Sequence, residues 1–282
     1  MKVYIVIPAY NEAEFISKTL QSLVDQTLQA DKIVVVNDKS TDNTSKIVRE
    51  FAEKYEYISL ISTTQESEHA PGSKVIKAFN EGLKTLDNEY DIICKFDADL
   101  IFPSNYIETI VSHFQEDTTI GMAGGFCSIY SEGAWKLENL TGKDHIRGAI
   151  KAYRKKCFLQ IGGLQPAMGW DTVDELIAQF YGWKIKTDIS LLVKHLKPTG
   201  ATYTATSKYK QGKAFYRLRY GFPITVIASA KLALLKKKPS LFLDYLSGYY
   251  KAKKEKQPFL VSEEEGRFIR NLRWKKIREK LF

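Results

Sequence analysis

Through the first hundred residues, unbroken apolar runs alternate with apolar positions set at helical spacing. Val3-Tyr4-Ile5-Val6-Ile7 is a continuous run, which predicts a strand covered on both faces. Asn11 follows with Glu14 three residues on, which predicts a capping box. Ile16, Leu20, Leu23 and Val24 then recur as one face of a helix. Residues 33–36 predict a second buried strand. The turn over 38–44 leads into a helix carrying Ile47, Val48, Phe51 and Tyr55 on one face. Residues 58–61 predict a third strand, 63–73 a loop containing Pro71-Gly72, 75–86 a helix, and 92–96 a fourth strand.

Strands alternating with helices imply an α/β protein with a mainly parallel, doubly wound sheet and helices on both faces. Ligands of such sheets bind at the carboxyl ends of the parallel strands. The polar residues that close the strands are therefore the chemical candidates: residues 8–12, Asn37-Asp38 and Asp97-Ala98-Asp99. Beyond residue 120 the pattern is less regular, with strands expected over 121–129 and 147–153 and a helix over 174–181. From residue 208 the chain turns basic and aromatic. No internal repeat or low-complexity tract is visible.

Charge sharpens this division. Residues 201–282 carry 20 Lys/Arg against 6 Asp/Glu, a net of +14. Residues 1–200 carry 22 against 27, a net of −5, and the two give the overall +9. The expected organisation is a catalytic domain over 1–205 and a basic, amphipathic helical extension over 206–282. Cys94, Cys127 and Cys157 are odd in number and far apart, which suits reduced, mostly buried thiols in a reducing compartment. No signal peptide is visible, and no apolar stretch approaches the ~20 residues needed to span a bilayer.

Asp97 and Asp99 stand two residues apart after an apolar strand. Unpaired, two such carboxylates repel, and a hard dication such as Mg²⁺ or Mn²⁺ relieves this while binding substrate phosphates. The same pair could be a solvated turn. The chain lacks both a phosphate-binding Gly-x-x-x-x-Gly-Lys-Ser/Thr loop and a Gly-x-Gly-x-x-Gly after the first strand. A phosphate-bearing ligand would therefore rely on a metal. Asp38 could accept hydrogen bonds from a base or ribose, or serve the turn, where Ser40, Thr41 and Asp42 compete for the capping role.

Val6-Ile7-Pro8-Ala9-Tyr10-Asn11-Glu12, Val35-Val36-Asn37-Asp38-Lys39-Ser40-Thr41-Asp42-Asn43-Thr44 and Phe96-Asp97-Ala98-Asp99 together resemble glycosyltransferase family 2. The resemblance covers about residues 3–200. It implies a GT-A fold, an inverting reaction, and a nucleoside-diphosphate sugar donor, most commonly a UDP-sugar. By that resemblance Pro8, Tyr10, Glu12, Asp38 and Asp97 line the nucleotide site, with Lys74 and Lys77 as basic residues near the donor. Asp99, helped by Asp97, holds Mn²⁺ or Mg²⁺. One departure is Asn37-Asp38-Lys39, where the family has Asp-Asp-Gly or Asp-Asp-Asn.

An inverting transfer also needs a base for the acceptor hydroxyl. The family places it in a Glu-Asp motif before a helix and after a Gly-Gly turn. Here Gly162-Gly163 precedes Gly169-Trp170-Asp171-Thr172-Val173-Asp174-Glu175, and Asp171 falls at the family's Asp, with Trp170 in place of Glu. Asp174 is the runner-up for the base and Glu175 a further alternative, and Asp171 or Thr172 could instead only cap the helix. His195, after Leu191-Leu192-Val193, matches a histidine that could complete the metal shell or be a packed residue. His69, His113 and His145 have no comparable support. Arg147-Gly148 and Tyr153-Arg154 could contact the acceptor or be structural.

In the last third, residues 222–235 are apolar apart from small polar residues and Lys231, and are bordered by Lys213, Arg217 and Arg219 before and Lys236-Lys237-Lys238 after. Residues 241–250 are aromatic-rich, and Phe268, Ile269, Leu272 and Leu281 could form a stripe opposite Arg267, Arg270, Lys276 and Lys280. Apolar segments between Lys/Arg clusters suit an anionic membrane surface, and helices packed on the catalytic domain are the competing reading. The sequence thus predicts a peripheral protein on the cytoplasmic, inner face of a membrane. Its expected partners are a nucleotide-sugar donor and a glycan or lipid-linked acceptor in cell-surface polysaccharide synthesis, with no nucleic acid. A metal-dependent nucleotidyltransferase or a non-catalytic binding protein of the same fold would share much of this pattern.

Overall fold

A computed structural model describes residues 1–63, 73–138, 142, 144–197 and 209–281. The expected loop over 63–73 and His69 lie almost wholly outside the described residues. The chain forms two compact units, Met1–Thr199 and Gly200–Phe282. The expected boundary at 205/206 falls just later, among residues that are not described.

Four parallel strands open the first unit. They are β1 (Val3–Ala9), β2 (Lys32–Asn37), β3 (Ile58–Ser62) and β4 (Ile92–Phe96), in the spatial order β3-β2-β1-β4. Every residue of β1 and β4 is buried, which is why both read as apolar runs without alternation. Helices α1 (Ile16–Val24), α2 (Thr44–Lys54) and α3 (Ser73–Lys84) connect them. At Gly82 a Cβ would lie 2.6 Å from side-chain atoms of Val6 and Val36, so α3 can approach the sheet this closely only with glycine there.

After β4 come β5 (Leu100–Ile101), α4 (Tyr106–Glu116), β6 (Ile120–Ser131), β7 (Ala134–Leu137), β8 (Ile150–Arg154), α5 (Lys155–Gln160), α6 (Trp170–Phe180) and β9 (Lys184–His195). The sheet continues β4-β8-β6-β9-β5, with β7 on β6. Strand β8 is antiparallel to both β4 and β6, while β9 runs parallel to β6. The chain leaving β4 therefore crosses to the far side of the sheet, where Leu100 of β5 pairs with His195 of β9.

Two local expectations need correction. The capping box at Asn11 does not form. Helix α1 starts at Ile16 with Phe15 as its N-cap and no side-chain cap, because Asn11 takes a left-handed conformation (φ 53°) and turns its side chain to another loop. Helix α6 begins four residues earlier than expected, at Trp170. In the second unit, Arg270, expected opposite the apolar stripe of the last helix, hydrogen-bonds to the Arg219 carbonyl, and Arg273 to the Tyr220 hydroxyl, each at 2.8 Å.

That second unit comprises α7 (Lys210–Arg217), α8 (Gly221–Leu235), α9 (Ser240–Lys254) and α10 (Glu263–Leu281). Helices α7 and α9 cross at two glycines. A Cβ on Gly212 would fall 1.8 Å from the Tyr245 carbonyl oxygen, and one on Gly248 would fall 2.2 Å from that of Tyr209. Aromatic contacts extend this core, with Tyr216 against Phe259 at 5.0 Å and the Arg219 guanidinium over Phe259 at 3.6 Å.

Candidate active site

Two loops at the carboxyl edge of the parallel strands are tied together. Ser40 Oγ accepts from Asn11 N (3.0 Å), Thr44 Oγ1 from Glu12 N (2.8 Å) and Asp42 from Ala13 N (3.1 Å), while Asn11 Oδ1 accepts from Thr41 N (2.8 Å). Ser40, Thr41 and Asp42 are thus engaged between loops, and Asn43 takes the N-cap position of α2 without a side-chain bond. Asp38 is half-buried and accepts from the Thr63 hydroxyl at 2.9 Å. Lys39 adopts φ 61°, the left-handed conformation that the family's glycine or asparagine takes without strain. Lys39→Gly should raise stability by up to about 1 kcal/mol, read as a shift in the denaturant midpoint at constant slope.

Asp97 and Asp99 sit where the chain crosses from β4 to β5. Each carboxylate already has a nitrogen partner, an ammonium for Asp97 and an imidazole for Asp99. The Lys95 ammonium, buried in β4, pairs with Asp97 and also donates to the Gly148 carbonyl at 3.0 Å. His195 Nε2 lies 3.3 Å from Asp99 Oδ2. Glu12 is close enough to feel both aspartates. Burial lifts its carboxyl to about 6, against the Lys197 ammonium 2.5 Å away.

The donor set here fits a hard or borderline dication: a carboxylate oxygen and an imidazole nitrogen on neighbouring strands, with a second carboxylate two residues away. Cys127, Glu138 and His195 also place ligand atoms within 4.8 Å of one another. Burial pushes the Cys127 thiol up to about 12.

A third group surrounds the start of α6. Gly169 is its N-cap at φ 77°, and the Thr172 and Val173 amides bond to the Gly169 carbonyl, so neither Asp171 nor Thr172 serves as a cap. Asp171 is partly exposed in the first helical turn. Burial would raise its carboxyl, but His145, Lys151 and Arg147 outweigh that and hold it near 2. His145 bridges two carboxylates, with Nδ1 2.8 Å from Glu175 and Nε2 3.8 Å from Asp171. These anions overcome burial and lift the imidazole to about 9.

Asp174 is buried, bonded by both oxygens to Lys151 (2.8 and 2.9 Å) and by one to the Tyr153 hydroxyl (2.6 Å). Lys151 also donates to the Asp171 carbonyl. Trp170 packs between Lys95 and Lys151, whose ammonium groups lie 5.3 and 5.7 Å from its ring centre. A Cβ built on Gly148 would lie 3.1 Å from Asp171 Cβ and 2.8 Å from the Trp170 ring. Gly148 thus packs against the start of α6 while its carbonyl accepts from Lys95, the partner of Asp97.

The profile of "Glycosyl transferase family 2" matches residues 4–165, more than half of the chain. The chain belongs to this family. Among relatives, "Probable glycosyltransferase YdaM" of Bacillus subtilis is 39% identical over 100 residues, covering 35% of this chain and 23% of that protein. "Poly(ribitol-phosphate) beta-glucosyltransferase" of Bacillus spizizenii is 39% identical over 92 residues, covering 32% and 14%. The chain thus spans less than a quarter of either relative. The fold is that of the GT-A glycosyltransferases. The mannosyltransferase PcManGT of Pyrobaculum calidifontis, solved with GDP-Man and Mn²⁺, aligns over 100% of this chain and 81% of its own, with a TM-score of 0.60 at 18% identity.

Within this family 2 framework, the structure gathers Glu12, Asp97, Asp99 and His195 around one edge of the sheet. Pro8 is buried in β1 and Tyr10 beyond it is 57% exposed. Lys74 and Lys77 occupy the first turn of α3, one half-buried and one exposed. Asp171 lies just past the segment that the family profile covers. Sequence reasoning missed Lys95, Lys151, Lys197 and His145. For the first two a signal existed, since a lysine inside an apolar strand is rarely buried without a fixed anionic partner.

Proposed function

We propose that this protein is a metal-dependent, inverting glycosyltransferase. It moves a sugar from a nucleoside-diphosphate donor, UDP being the carrier the family resemblance favours, to a hydroxyl of a glycan or lipid-linked acceptor in cell-surface polysaccharide synthesis. The observation that carries this reading is the Asp97–Asp99 crossing, with His195 3.3 Å from Asp99 and with Lys95, paired to Asp97, lying 5.3 Å from the ring of Trp170, which precedes Asp171 at the start of α6.

In this reading Pro8, Tyr10, Glu12 and Asp38 form the nucleoside side, with Lys74 and Lys77 near the donor. Asp99, Asp97 and His195 would hold Mn²⁺ or Mg²⁺. Such an ion, when bound, offsets charge developing on the leaving diphosphate. Asp171 takes the proton of the acceptor hydroxyl while that oxygen attacks the anomeric carbon. The bond from that carbon to the diphosphate oxygen breaks on the opposite face. The nucleoside diphosphate leaves with the bonding electrons, the proton rests on Asp171, and the new glycosidic bond is inverted. Asp174 suits this role less well, because Lys151 and Tyr153 occupy its oxygens in the core.

The reading includes a location, peripheral on the cytoplasmic face of a membrane. None of the described helices is long and apolar enough to cross one.

The test is nucleoside diphosphate release from a panel of nucleotide sugars, with Mn²⁺, with Mg²⁺ and with chelator. We expect slow, metal-dependent release from one donor. Asp99→Ala should abolish the metal dependence and weaken nucleotide binding by calorimetry at least tenfold. Failure of any nucleotide to bind in the presence of metal would sink the assignment.

A further inference from the structure

Helix α8 is apolar around its whole circumference, yet its neighbours cover only part of it. Ile224, Thr225, Ser229 and Ala233 are buried. Pro223, Ile227, Lys231, Leu234 and Leu235 are exposed and fall within roughly a third of the circumference at 3.6 residues per turn. The exposure grows towards the turn into α9, where Leu234 is 76% exposed, Leu235 67% and Leu243, one turn into α9, 66%. Lys236, Lys237, Lys238 and Pro239 form that turn and are also exposed. Phe222 meets Tyr250 at 5.5 Å, so the two helices run as an antiparallel hairpin with the lysines at its tip.

Two properties select an occupant for this face. Residues 221–243 contain four lysines and no acidic residue, so the surface complements an anion. The 15 residues of α8 extend only about 22 Å, short of a hydrocarbon core. An apolar helix too short to cross, ending in exposed leucines under a lysine cluster, matches shallow insertion beside anionic headgroups. A second copy of the chain would oppose lysines to lysines across a two-fold interface.

We propose that the tip of the α8–α9 hairpin is a bilayer-docking surface, with Leu234, Leu235 and Leu243 entering the acyl boundary and Lys231, Lys236, Lys237 and Lys238 meeting anionic lipid headgroups. This deepens the peripheral membrane location proposed above, on which it rests, and is independent of the transfer reaction.

Flotation of the full chain with two vesicle types tests the docking: equimolar phosphatidylglycerol and phosphatidylcholine, and phosphatidylcholine alone. The protein should float with the anionic vesicles only, and less so at high salt. Each headgroup-facing lysine contributes about fivefold in partitioning, so K236Q/K237Q/K238Q should lower it roughly a hundredfold. L234S/L235S should also release the protein. Both variants should keep the thermal midpoint, the elution volume and nucleotide binding of the parent.

Because Cys94, Cys127 and Cys157 are all buried, an environment-sensitive dye on L235C reports insertion selectively, as a blue shift with anionic vesicles. Three outcomes overturn the proposal: no flotation with either vesicle, flotation that both variants retain, or a drop in thermal midpoint or change in oligomeric state in the variants. The last would mean that the chain itself covers this face. Nucleotide binding in the same samples separates failure of docking from failure of the transferase assignment.

Discussion

Asp171→Asn will slow sugar transfer by roughly a thousandfold, within the range lost when a positioned general base is removed, and leave donor binding unchanged. The substitution keeps the shape of the side chain at the start of α6. The backbone carbonyl that Lys151 holds is untouched, and so is the Gly169 cap. The loss should therefore fall on kcat, with donor affinity by calorimetry near that of the parent. An Asp174→Asn variant should instead lose stability first, since it loosens a buried ion pair.

The pH dependence follows from the same contacts. Asp171 is held near 2, so it stays ionised as pH falls until well below the ordinary carboxylate range. The His145 cation that helps hold it there persists up to about 9. His145→Gln should raise the Asp171 pKa and move the acid limb of kcat/KM upward. If His145 serves only packing, the limb will stay where it was while turnover falls. A loss of donor binding in Asp171→Asn equal to its loss in rate would remove Asp171 from the base role.

Lys151→Met should cost about 3–5 kcal/mol of stability, the range for breaking a buried ion pair from one side. The side chain is fully buried, and its ammonium lies 2.8 Å from Asp174 and 3.2 Å from Glu175. Its removal leaves the Asp174 carboxylate with the Tyr153 hydroxyl and the Glu175 amide but no cation, and leaves Glu175 to His145 and the Ile146 amide. For a unit of this size the thermal midpoint should fall by about 10 °C.

The deficit should depend on pH with a definite sign. Burial already lifts the Asp174 carboxyl to about 6, and without Lys151 it will rise further. A folded-state pKa above the unfolded value means that the folded form binds more protons in between. The variant therefore loses stability as pH rises through that window and recovers as pH falls towards the ordinary carboxylate value. Pairing Lys151→Met with Asp174→Leu should recover much of the loss, because the cost lies in the uncompensated charge. A thermal midpoint within about 2 °C of the parent at neutral pH would refute this account of the buried pair.

The sequence made the parallel half of the sheet readable because β1 and β4 are buried on both faces, which favours apolar side chains throughout, with Lys95 tolerated in β4 through its pairing with Asp97. The Asp97–Asp99 pair was visible because strand ends in such sheets are the only places where adjacent polar side chains can gather over a ligand. Other features were hidden because they depend on residues far apart in the chain. Lys95 meets the Gly148 carbonyl across 53 residues, and Asp174 is neutralised by Lys151 from a strand 23 residues earlier.

The failed capping box has the same origin. Asn11 and Glu14 satisfy the local pattern, yet the Thr41 amide, 30 residues away, claims the Asn11 side chain. His195 reached Asp99 through the pairing of β5 with β9, a crossing that two residues of strand could hardly announce.

The bonds that join Asn11, Glu12 and Ala13 to Ser40, Thr41, Asp42 and Thr44 make two distant stretches of sequence a single inherited module. Loop grafting between relatives would sever five hydrogen bonds if only one stretch were exchanged. Chimeras that carry both stretches from the same parent keep the module whole. Recombination libraries for this scaffold therefore belong with crossovers outside residues 10–44.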